Sequence, residues 1–221
     1  MANTKSLDFE TSSSMYLTTA DATAVRVVDG WTVEFWHKPE SLVNSYIFNV
    51  RSGENGWGIG TNTSGNILVY AGSGAFGNTT STATMSAGTW YHIAVYFSNT
   101  GTKLYLDDAS AETLSNAAIS NPNGTVYMGR KATGSSDYPD GLFDEVRFWS
   151  DERTEAEIGD NMSIELVGDE AGLSAYWKFE DDRAATTSSS DWTDNNGTAF
   201  STDVPFSGAA AASTTDFFQM F

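Results

Sequence analysis

Apolar and polar side chains alternate along short stretches of this chain. In WTVEFWHK (31–38), Val33 and Phe35 are interleaved with Glu34, Trp36 and Lys38, which gives a strand with one apolar and one mixed face. WYHIAVYF (90–97) repeats the pattern, with Ile93, Val95 and Phe97 set against Trp90, His92 and Tyr96. Further strand signals are SLDFE and SMYLT near the start, YIFNV (46–50), WGIG (57–60), NILVYAG (66–72), KLYLDD (103–108), TVYMGR (125–130), LFDEVRFW (142–149) and LSAYWKFE (173–180). They recur roughly every ten residues with turns between them, the spacing of an all-β sandwich or jelly roll. One short helix is expected. Thr154 and Glu157 form T-x-x-E, a capping box that starts a helix at Glu155 and carries it to about Asn161.

The stretch at 142–149 poses a problem of its own. Strict alternation puts Leu142, Asp144, Val146 and Phe148 on one face, which its apolar content marks as buried, and leaves Phe143, Glu145, Arg147 and Trp149 on the other. A buried, unpartnered carboxylate costs several kcal/mol, so Asp144 needs either backbone donors or a cation.

Composition narrows the chemistry. The 221 residues are 40% hydrophobic, 13% aromatic and 18% charged, enough for one sizeable core. No cysteine is present and only two histidines, His37 and His92, so thiol chemistry, Cys-based zinc sites and multi-histidine metal centres are set aside. The net charge is −18, and most of it lies beyond residue 132. Such a surface repels nucleic acid and anionic membranes and attracts hard cations; acidity also keeps a β-rich protein soluble. No stretch is long and apolar enough to insert in a membrane, and the N-terminus lacks the apolar core of a secretory signal. Residues 1–206 read as one domain, and 207–221 as a tail ending in Phe217, Phe218, Met220 and Phe221. Two readings of that tail stay open: packing as a last strand, or docking on a partner or a second copy.

Taken in order, SLDFE, DGWTVEFWHKPESL, AGTWYHIAVYF, TKLYLDD, VYMGR, DYPDGLFDEVRFW, TEAEI and GLSAYWKFED resemble the laminin-G-like jelly-roll family of the concanavalin A-like lectin/glucanase superfamily. The resemblance runs from about Ser6 to about Thr198. It implies two antiparallel sheets, one concave and one convex, with ligand-binding loops at the rim; lectins, adhesion modules and glycosidases share that fold, so function must come from the site. It also implies that Asp144 is similar to a calcium ligand, joined by backbone carbonyls near Glu10 and near Asp29 and Gly30.

Three groups are candidates for recognition. His92 and Arg147 lie on mixed faces that read either as an aromatic, charged surface for glycans or as cross-strand packing. Rim loops ENGWG (54–58), GSGAFGNTTS (72–81) and KATGSSDYPDG (131–141) offer Trp57, Phe76 and Tyr138. In the last loop, Asp137 and Asp140 read either as rim calcium ligands or as part of a turn into the next strand. Hydrolysis is not expected. In this superfamily the catalytic carboxylates share one strand as E-x-D-x-x-E, which is absent here, and Asp144 and Glu145 alternate to opposite faces. The expected function is a non-catalytic, calcium-stabilised module that binds glycans or protein surfaces. The competing reading is a decoration, spike or fibre protein of a bacteriophage virion. Either one works outside a cell or on a virion surface.

Overall fold

In a computed structural model of the chain, residues 3–19, 25, 30–74, 76–114, 119, 124–188 and 190–207 are described. Among these residues fifteen strands form two antiparallel sheets. In chain order they are β1 (Ser6–Phe9), β2 (Tyr16–Thr19), β3 (Trp31–Pro39), β4 (Ser45–Ser52), β5 (Asn55–Thr61), β6 (Asn66–Gly72), β7 (Phe76–Thr84), β8 (Tyr91–Ser98), β9 (Gly101–Leu106), β10 (Glu112–Leu114), β11 (Val126–Met128), β12 (Gly141–Trp149), β13 (Leu173–Trp177), β14 (Thr193–Asn195) and β15 (Ala199–Ser201). The larger sheet runs β10-β9-β8-β3-β12-β1-β15, with β13 also paired to β12. The smaller runs β14-β2-β11-β4-β5-β6-β7. The expected two-sheet all-β sandwich is present.

The alternating apolar positions meet between the sheets. Trp31, Val33 and Phe35 of β3 and Ile93, Val95 and Phe97 of β8 face Phe48, Trp57, Ile59 and Val69 from the other sheet. Trp31 stacks on Phe97 at 4.6 Å and meets Trp57 edge-on at the same distance. Aromatic packing of this kind adds roughly 0.5–1.5 kcal/mol per pair beyond simple burial.

α1 (Glu155–Asn161) starts where the capping box placed it. Thr154 Oγ1 accepts from the Glu157 N–H, and the Glu157 carboxylate accepts from the Thr154 N–H. Its buried residue, Ile158, packs against Ala94 and Tyr105 on the outer face of the larger sheet.

Strand β12 departs from its expected alternation. Its register against β3 slips between Asp144 and Arg147, and Glu145 takes φ 51°, a β-bulge. The slip has a topological cause. On its other edge β12 pairs with β1 through residues 141–143 and with β13 from Val146 onward, so the extra residue falls where the neighbour changes. Phe143, Val146 and Phe148 therefore all point between the sheets. Asp144 and Glu145 both project to the outer side, correcting the expectation that they face opposite ways. Asp144 is buried, but not in the core between the sheets.

Candidate functional site

The two sheets have outer faces of different character. On the larger sheet, α1 and the segment after it cover the outer face. Arg147 lies at the centre of this face and is fully buried. Its Nη2 donates to Glu145 Oε2 at 2.6 Å and to the Ile164 carbonyl at 2.5 Å, and its Nη1 to Glu34 Oε1 at 3.3 Å and the Asn161 carbonyl at 2.9 Å. Tyr176 donates to the same Glu145 oxygen, Trp149 Nε1 to Glu34 Oε1, and Trp36 Nε1 to the Met162 carbonyl. These bonds pin the covering segment to the sheet. His92 lies 3.8 Å from Glu34, but burial and then the Arg147 charge hold its pKa well below the ordinary value, so it is neutral near pH 7. His92 and Arg147 thus form a buried polar layer under α1, not a face that a ligand reaches.

Asp144 sits beside this layer. One carboxylate oxygen accepts from Asn3 Nδ2 and the other from the Glu145 N–H, both at 2.8 Å. Burial first, and then the neighbouring Glu145 charge, push its pKa well above the ordinary value. Both oxygens thus already accept from protein donors, and the expected calcium set is not brought together. By register Asp144 is level with Ser6, so Glu10 lies about 13 Å further along. Gly30 precedes β3 at six residues from Trp36, which pairs with Asp144, on the order of 20 Å away. Asp29 lies outside the described residues. Glu10 instead meets Asp8 and Glu40, whose oxygens approach within 4.8 Å of one another. Asp140, close by, accepts from the Thr11 N–H and from Ser41 Oγ. Burial and the neighbouring carboxylates raise the pKa values of Asp8 and Glu40, and Asp8 Oδ1 is buried without a protein partner. Oxygen donors of this kind suit a hard cation.

Among the described residues no helix covers the outer face of the smaller sheet. One row of directly paired residues crosses all seven strands: Thr193, Thr18, Tyr127, Asn49, Gly58, Tyr70 and Asn78. β5 contributes only Gly56, Gly58 and Gly60 to this face. A Cβ at Gly60 would lie 2.1 Å from the Ser45 carbonyl and 3.4 Å from the Tyr70 ring. With no side chain between them, Tyr46 and Tyr70 meet across β5 at 4.6 Å with their hydroxyls hydrogen-bonded. Phe76 continues the stack at 5.9 Å from Tyr70 and carries the Arg51 guanidinium at 4.2 Å, while Lys131 lies over Tyr46. On the other flank Arg130 lies over both Tyr16 and Tyr127, and Tyr138 meets Tyr16 at 6.4 Å. Apart from Tyr46, these rings are half-buried and open to solvent.

Phe76 and Tyr138 therefore stand on this face, with Asp137 on the loop beside them. Trp57 does not: it is fully buried in the core of β5, because the loop before it is a tight turn and the strand starts at Asn55. Tyr16, Tyr46, Tyr70, Tyr127 and Arg130 escaped the sequence reading, although Tyr16, Tyr70 and Tyr127 all alternate against core neighbours in the quoted strands. The apolar tail is outside the described residues from residue 208 onward.

The profile of the concanavalin A-like lectin/glucanases superfamily, in its laminin-G branch, matches residues 11–159, and the chain belongs to that family. No curated protein matches it in sequence. Among solved structures it is similar to a protein from Bacteroides ovatus assigned provisionally to carbohydrate binding, with TM-score 0.71 and 21% identity, covering 93% of this chain and 62% of that one. The chain thus spans less than two thirds of that relative. It is also similar to the heptameric SAP-like pentraxin of Limulus polyphemus, with TM-score 0.65 and 13% identity over 92% of this chain and 97% of the other. A third is the CBM40 domain of the Ruminococcus gnavus IT-sialidase bound to α2,3-sialyllactose, with TM-score 0.56 and 11% identity over 72% and 98%. At these identities the likeness is one of fold. No described helix is long and apolar enough to cross a membrane.

Proposed function

We propose that this chain is a non-catalytic glycan-binding module that uses the outer face of its smaller sheet. The observation that carries the reading is the line of aromatic residues, from Tyr16 and Tyr127 through Tyr46 and Tyr70 to Phe76, placed outside the core and uncovered by the helix. Aromatic rings, tyrosine hydroxyls and the exposed amide of Asn78 suit a ligand with apolar C–H faces and many hydroxyls. Carbohydrate-binding relatives of the same fold support it. The non-catalytic part rests on the carboxylates: Asp144 and Glu145, set side by side by the bulge, are both buried where no substrate reaches them. A glycan array probed with the full chain, Tyr127→Ala and Tyr70→Ala tests the proposal. Binding that falls about tenfold or more in both variants is expected; no binding by the parent chain, or binding indifferent to both changes, sinks it.

Calcium belongs to the same proposal in a changed position. The oxygens of Asp8, Glu10 and Glu40, with an unpartnered Asp8 Oδ1 among them, give an ion better donors than Asp144 does. A thermal melt with and without chelator should show a loss for the parent and for Asp144→Asn, and none for Asp8→Asn. A chelator effect unchanged in Asp8→Asn, or absent from the parent, removes this part.

A further inference from the structure

Carboxylates outnumber lysines and arginines 29 to 11 in this chain, so a cation without a carboxylate partner is a matter of placement. Lys5, Lys38, Arg51, Lys103, Arg147, Arg153, Lys178 and Arg183 each lie within 4 Å of at least one Asp or Glu oxygen. Among the described residues Arg130 and Lys131 do not, and both stand on the open aromatic face. The Arg130 guanidinium rests 4.6 and 4.8 Å from the ring centres of Tyr16 and Tyr127 and spends one donor, Nε, on the Lys131 carbonyl. Its terminal Nη donors have no acceptor among the described residues. The Lys131 ammonium lies 6.0 Å from the Tyr46 ring and makes no hydrogen bond among the described residues. The same loop carries a carboxylate, Asp137, which faces Tyr46 and Tyr70 and accepts from Ser136 Oγ at 3.0 Å; it would accept sugar hydroxyls.

We propose that the open face is built for an acidic glycan, one whose sugar carboxylate is received by Arg130 and Lys131 while the rings on either side hold the sugar. The inference rests on the glycan-binding reading and adds the ligand's charge. A guanidinium already oriented by two rings loses little freedom when its fork meets a carboxylate, and such charge-assisted pairs are about twice as strong as neutral ones. The excess negative charge of the chain disfavours any anion at long range, but beyond about 8 Å that repulsion is screened at physiological salt. The local pair decides the contact.

Matched sugars that differ only in charge separate this inference from the reading beneath it. Titration calorimetry on the full chain would compare 3′-sialyllactose with lactose, and tetragalacturonate with its methyl ester. At least one acid should bind tenfold or more tighter than its neutral partner. Arg130→Gln and Lys131→Gln should each remove most of that difference by weakening the acid far more than the neutral sugar, and keep the melting temperature within about 2 °C. Neutral partners that bind as well as the acids, or variants that weaken both alike, overturn the acidic ligand and leave glycan binding standing. Binding by neither acid while the array shows neutral glycans bound has the same consequence; an array with no binding at all overturns both proposals.

Discussion

Tyr176 and Tyr127 each stand on the outer face of a sheet with an arginine guanidinium about 5 Å from the ring, Arg147 for one and Arg130 for the other. Arg147 is wholly buried, paired to Glu34 and Glu145, and bonded to two carbonyls of the segment that closes over it. Arg130 meets no carboxylate and stays half open. The same pair of residue types therefore fastens the molecule to itself on one face and remains available on the other. What separates them is the 150–172 segment, anchored by a seven-residue helix, which covers the larger sheet and has no counterpart on the smaller among the described residues. A buried arginine between two carboxylates is a structural element, and only the uncovered one has donors to offer.

Breaking the comparison at its strongest point means removing each arginine in turn. Arg147→Met leaves two buried carboxylates without their cation and should cost roughly 3–5 kcal/mol in urea denaturation; Arg130→Met should cost less than about 1 kcal/mol. Equal losses would mean that both faces are structural. Next in size is a pH effect confined to the larger sheet. Burial lowers the pKa of His37 from its ordinary value to about 4, against the pull of its bond to the Leu142 carbonyl. His92 is lowered in the same direction. Between about pH 6.5 and 4 the unfolded chain binds these protons and the folded one does not. Their stabilisation is complete above pH 6.5 and shrinks as the pH falls through that window, by on the order of 3 kcal/mol for His37. Asp144 and Glu145, whose pKa values are raised by burial, work the other way and offset part of the loss. His37→Asn, which keeps a donor toward the Leu142 carbonyl, should flatten the pH slope by one proton; an unaltered slope would exclude His37 as its source.

Asp144→Asn should come third. It removes a charge that burial and Glu145 both disfavour, and its new amide gains an acceptor when the Asn3 side chain turns over to present Oδ1, now without a partner, in place of Nδ2. A gain of roughly 1 kcal/mol at pH 7 is expected, and a loss of that size would show the carboxylate to be stabilising. Smallest is Thr154→Ala. Loss of the capping box should cost roughly 0.5–1 kcal/mol, seen as faster amide exchange at Ile158 and Asn161, with glycan binding on the opposite face unchanged.

Much of the fold was legible because alternation is a local signal. β3, β8 and the helix start at Glu155 fell where WTVEFWHK, WYHIAVYF and T-x-x-E placed them. β7 reads as a rim loop because FGNTTSTAT has no apolar rhythm; it is an edge strand with one neighbour in its sheet and little to bury. β10, β14 and β15 are three residues each, too short for a period to show. The face chosen for binding was missed for a different reason. Glu34, His92 and Arg147 do share an outer face, as their spacing implies, but no local pattern announces that the 150–172 segment folds back over it. Tyr46, Tyr70 and Phe76 converge only because β5 is glycine at alternate positions, a fact about a neighbour rather than about themselves.

The bulge at Glu145 also bears on how this strand compares with others. Without that residue, the remainder of β12 would read Leu142 out, Phe143 in, Asp144 out, Val146 in, Arg147 out and Phe148 in, an unbroken alternation. Glu145 thus behaves as a single inserted letter that shifts the reading frame and leaves both halves in sense. A relative whose strand stays beside one neighbour throughout would align with a one-residue gap at this point. Forcing the two sequences together without it would match arginine to a core position and phenylalanine to solvent, and the likeness would vanish from the alignment while persisting in the molecule.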